Sequence, residues 1–134
     1  MLYRDLHNAM RRTERLQALI QDAVLAGSKT EMLKGAERAQ AEANELVRGL
    51  QGALARSDDS VETMSPDAVD ELAYTRWAVH SLQQAASEAE TSRRGDSTGA
   101  IRVGLLNCLT RADLAGAFLR AAVGDEETAP PRAM

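Results

Sequence analysis

Through most of this chain, side chains that can be buried return every three or four residues, the interval that lines them along one side of an α-helix. Leu2, Leu6, Ala9, Met10, Thr13, Leu16, Ile20 and Val24 form the first such stripe. Gly27 closes it and is expected to take the left-handed backbone of a helix C-cap, so the spacing predicts a first helix over about 2–26. A second stripe, Met32, Leu33, Ala36, Ala39, Ala43, Leu46, Val47, Leu50 and Leu54, predicts a helix over about 29–56. "RSDDSVETMSP" is the longest connection, with Ser65 as an N-cap and Pro66 in the first helical position. Ala68, Leu72, Thr75, Val79, Leu82, Ala86 and Ala89 then predict a third helix over about 66–91. Beyond the turn "SRRGDST" comes a fourth, over about 99–123. Its stripe is Ile101, Leu105, Cys108, Ala112, Ala115, Leu119 and Ala122. Leu106, Leu109, Leu114 and Phe118 widen that stripe, so the helix is expected to be central or to face a partner. Gly124 ends it.

Composition agrees with helices alone. Of 134 residues 44% are apolar but only 3% aromatic, and β-branched residues are too sparse for a sheet. The chain is therefore expected to be all-α: an antiparallel up-down-up-down four-helix bundle over residues 1–124, with a disordered tail over 125–134. At this size a hydrophobic core forms without metal or disulfide staples.

"LAGSKTEML", residues 25–33, holds a Gly-Ser-Lys-Thr that invites comparison with a phosphate loop. That loop needs glycine directly before its lysine, and Ser28 stands there. Ser28-Lys29-Thr30-Glu31 instead has the Ser-x-x-Glu spacing of a capping box, with the Ser28 hydroxyl accepting from the Glu31 amide. The stretch reads as a turn.

Catalytic and metal chemistry find little support. Cys108 is the only cysteine, in an apolar setting where a thiol acts as a small hydrophobe. Neither His7 nor His80 has a glutamate three residues before it, as bundle di-iron sites require. One cysteine and two distant histidines do not make a zinc site. No nucleophile–base pair, cofactor motif or small-molecule site is legible, and a non-enzymatic role is expected. The net charge of −4 and pI near 5.2 argue against nucleic acid as a partner. No stretch reaches the ~20 apolar residues of a membrane span. With no signal-peptide pattern in the first residues, a cytoplasmic location is expected.

Protein binding is the role that remains. Tyr74, Trp77 and His80 fall at three-residue steps beside the main stripe of helix three. Tyrosine and tryptophan anchor interfaces because they bury much area at little entropic cost. With Leu106, Leu114 and Phe118 of the wide apolar face of helix four, they form the candidate partner-binding set. The partner is expected to be a helical segment of another protein or, alternatively, a second copy of the chain in a homodimer.

Two resemblances bear on this reading. Met1-Leu2-Tyr3, a turn at Gly27, Arg38-Ala39-Gln40, Glu45-Leu46 and Leu50 together resemble the first two helices of flagellin export chaperones. These are small bacterial four-helix bundles that hold unpolymerised flagellin in the cytoplasm, and the resemblance implies a secretion-type chaperone. Lys34-Gly35 also matches the His-x-x-Lys-Gly of histidine phosphotransfer domains, but Glu31 replaces the phosphorylated histidine. That resemblance implies at most a degenerate domain that binds partners without transferring phosphate.

Overall fold

The computed structural model describes residues 2–56 and 65–124. They form four helices, α1 (Leu2–Val24), α2 (Lys29–Arg56), α3 (Pro66–Arg93) and α4 (Thr98–Ala122), and no strand lies among the described residues. The connection expected over 57–64 and the tail over 125–134 lie outside them.

α2, α3 and α4 each start with a serine hydroxyl on the amide three residues on, which satisfies one of the first-turn donors that a helix leaves open. Ser28 accepts from Glu31 at 3.2 Å, Ser65 from Ala68 at 3.2 Å and Ser97 from Ala100 at 3.1 Å. The Gly-Ser-Lys-Thr stretch is thus the end of a turn and the start of α2. The ends differ from expectation in two places. α1 stops at Val24, and Gly27 does not have a positive φ; among the described residues only Gly124 does, at +96°. Glycine is needed after α4, where the backbone takes the left-handed region, and not after α1. α3 continues to Arg93, two residues past the expected end.

The helices pack as a ring, α1 on α2, α2 on α3, α3 on α4 and α4 on α1, with α2 and α4 touching across the centre. Cross-helix bonds, with Leu54 beside Val79 between α2 and α3 and Trp77 on Phe118 between α3 and α4, set every neighbouring pair antiparallel. Arg12 meets Glu45 and Arg56 meets Asp5 between α1 and α2. Arg93 donates to Gln40 between α2 and α3, and Ser92 to the Ile101 carbonyl between α3 and α4. Gln17 donates to Asp113, and Arg102 to the Val24 carbonyl, between α1 and α4. The chain is an antiparallel up-down-up-down four-helix bundle.

Large side chains such as Leu16, Ile20, Leu50, Leu82, Leu105 and Phe118 fill the core between layers of buried alanine. Small residues let the backbones close in. A Cβ on Gly35 would collide with Ala23, and one on Gly104 would sit 2.6 Å from the Ser92 Cβ. The buried threonines Thr13 and Thr75 return their hydroxyls to the carbonyls of Ala9 and Glu71, four residues back, so neither polar group is left unmet. α4 is one wall of the ring and not its centre. Val103 is 59% and Leu106 46% exposed, so a helix apolar nearly all round here keeps an open outer side.

Candidate functional site

The outer side of α4 follows from the positions of its four charges. Arg102, Asp113 and Arg120 fall on the edge toward α1, where Arg102 reaches the Val24 carbonyl at 3.0 Å and Asp113 accepts from Gln17 at 2.7 Å. Arg111 falls on the opposite edge, toward α3, between the register of Gly104 and that of Phe118. At 3.6 residues per turn, the residues between those edges are Val103, Leu106, Asn107, Thr110, Leu114, Ala117 and Ala121. All are exposed or half-buried, and none is charged. In a chain that is 27% charged, this is a strip ~27 Å long with no ionised group, by the 1.5 Å rise per residue from Val103 to Ala121.

Trp77 stands on the α3 edge of the strip. Its ring lies 6.0 Å from that of Phe118 at 21°, close to stacked, while 45% of the residue remains exposed. Half-buried Tyr74 also meets Phe118, with ring centroids 6.3 Å apart. Phe118 itself is 1% exposed. It is the floor on which Trp77 rests, not a surface group. A large aromatic held from below loses little freedom on meeting a partner, which is what an interface anchor needs.

The residues singled out from sequence therefore take different places. Trp77, Tyr74 and Phe118 are brought together, and Leu114 shares the strip on their level of the bundle. Leu106 lies on the same strip, ~18 Å from Phe118 toward the start of α4, by twelve residues of helix. His80 meets Trp77 edge-on at 6.1 Å but turns to the α2 side, where with Leu54, Arg76 and Val79 it lines an open depression of about 450 Å³. Sequence reasoning missed Val103, Thr110, Ala117 and Ala121, which carry the middle and ends of the strip. The signal was present in the spacing of Arg102, Arg111, Asp113 and Arg120, whose charges bracket one face.

Cys108 is fully buried on the inner side of α4. Burial, with the nearby negative charge of Glu88 adding to it, pushes its thiol up to about 12 from 9.0, so the sulfur is protonated at neutral pH. Among the described residues no three His, Cys, Asp or Glu side chains are grouped as metal ligands would be. None of the described helices is long and apolar enough to cross a membrane. Glu31, at the place of the phosphohistidine, lies exposed in the first turn of α2, and its amide is bound by Ser28. No family model, curated protein or solved structure matches the chain.

Proposed function

We propose that this chain is a non-enzymatic protein-binding bundle that holds a helical segment of another protein, as a chaperone or adaptor does. The uncharged outer strip of α4, with Trp77 propped at its edge, carries the reading. Covering such a strip removes apolar area from water and leaves no ionised group to desolvate. A helix laid along it would be read at three- and four-residue steps, as in other helix-in-groove contacts. The resemblance of the first two helices to flagellin export chaperones favours a secreted or filament-forming subunit as the partner and the bacterial cytoplasm as the place.

A second reading is a self-assembling homodimeric module, in which a second copy covers the same strip. The partner-binding reading is tested by replacing Val103 and Leu106 together with glutamate. Both are exposed, so the helical content seen by circular dichroism is expected to stay unchanged. Tagged native chain is expected to retain one stoichiometric partner from the cytoplasm of its source cell, and the double variant to lose it. Recovery of the same proteins on both baits would overturn the reading.

A further inference from the structure

We infer that the groove between α2 and α3, in the half of the bundle that holds Gln51 and His80, takes an acidic helical segment of another protein, one with a carboxylate at each turn. This groove lies on a different face from the outer strip of α4 and does not depend on it.

Asp and Glu supply 20 of the 134 residues, yet none occurs from Leu46 through Arg56 or from Leu72 through Ser87. The antiparallel register brings those two runs together. Arg93 donates to Gln40 across the helix pair and Leu54 lies beside Val79, so residue 46 is level with about residue 87, and residue 56 with about residue 77. They enclose ~15 Å of groove with no carboxylate of their own, by the rise of residues 46–56. The nearest carboxylates on either helix are engaged elsewhere. Glu45 meets Arg12 at 3.3 Å on the α1 side, Glu90 holds Arg94 at 2.8 Å, and Glu88 stands near Cys108 toward α4.

The donors that remain are open. Arg48, Gln51, Arg76 and Gln83 are exposed and make no hydrogen bond or ion pair with another described residue. His80, also exposed, meets the edge of the Trp77 ring. Between the two rows lies an apolar floor of half-buried Leu54 and buried Val79. In register, Arg48, His80 and Arg76 succeed one another along the groove at ~6–8 Å, about one helical turn each. A helix lying there would offer carboxylates four residues apart at ~6 Å, with small apolar residues between them for the floor. Charge complementarity therefore selects an acidic occupant. The net charge of −4 does not oppose it, because at physiological salt the field of the other faces is screened beyond ~8 Å. Arg15 and Arg38, the exposed cations facing a depression between α1 and α2, share theirs with Glu42 and serve as the comparison.

The test is an amide NMR titration of the full chain at about 0.1 M salt. The probe is a helical alanine–leucine peptide of about five turns, stapled on its far face, with glutamate at every fourth residue. Its counterpart carries glutamine at the same places. The glutamate peptide is expected to shift the amides of 46–55 and 76–87 saturably, and to bind roughly tenfold more tightly than the glutamine peptide. Arg48→Gln with Arg76→Gln is expected to weaken it about three- to tenfold. Arg15→Gln with Arg38→Gln is expected to leave it unchanged. Val103→Glu with Leu106→Glu should also keep the peptide, so failure of the α4 strip and failure of this groove are read separately.

The inference is overturned by the absence of a saturable shift, by equal binding of the two peptides, or by shifts centred on another face. An equal loss in the Arg15, Arg38 variant does the same. So does sedimentation in which the chain alone doubles its mass and returns to 14.5 kDa when Arg48 and Arg76 are replaced, since a second copy would then fill the groove.

Discussion

Cys108 illustrates how packing decides the chemistry of a single residue. A thiol with no exposed surface stays neutral because its thiolate would lose hydration. The folded chain holds this proton more tightly than the unfolded one, from 9.0 up to about 12, so the associated stability is intact below pH 9. It is lost as pH rises from 9 toward 12, by up to about 4 kcal/mol over that window. Cys108→Ala is expected to unfold at lower urea at pH 7 by about 1 kcal/mol, while flattening the loss of stability above pH 9. Urea titrations of both proteins at pH 7, 9 and 10.5 check this; equal slopes with pH would refute it. In the native state, Cys108 is expected to react with a maleimide at least a hundredfold more slowly than in urea.

Between helices, the decisive residues are the small ones, and the glycines separate into two kinds. Gly104 lies against Ser92, and the Cβ of Gly104→Ala would stand 2.8 Å from the Ser92 Cα, a backbone atom that cannot swing aside. α3 and α4 would have to part, at an expected cost of about 1–3 kcal/mol. Gly49 faces open space, with no atom within 4 Å of a Cβ built there. Gly49→Ala is expected to raise stability by up to ~1 kcal/mol, since alanine fixes a helix backbone more readily. Thermal or urea unfolding of the pair is the measurement, and a shared sign for both variants would contradict the packing described. From sequence alone Gly35, Gly49 and Gly104 are indistinguishable, because what separates them is the neighbouring helix and not their own.

At the scale of the whole bundle, the hydrophobic period and the serine caps were enough to give four helices and their order, because both signals are local. Gly27 misled, since the end of α1 needs no left-handed residue when Leu25 and Ala26 already return their amides to Gln21 and Ala23. The candidate site was half legible. Trp77 and Leu106 could be picked by size and period, but the strip's outline depends on which side of α4 meets α1 and which meets α3. Phe118 looked like a surface anchor for the same reason and is the floor beneath one. The ring of antiparallel neighbours also sets how quickly the molecule forms. Three of its four sides join helices that follow one another in the chain, while α1 on α4 and the smaller contact of α2 with α4 close over longer separations. Chains built mainly from local contacts refold in about a millisecond or less. Trp77 on Phe118 would report the α3–α4 hairpin in a temperature-jump fluorescence trace. Gly104→Ala is expected to slow its formation, whereas disturbing the α1–α4 seam by Gly116→Leu, beside Gln17 and Thr13, should chiefly hasten unfolding. The tight fit of two small residues is then a clock as well as a joint: it determines when the tryptophan edge of the strip first exists.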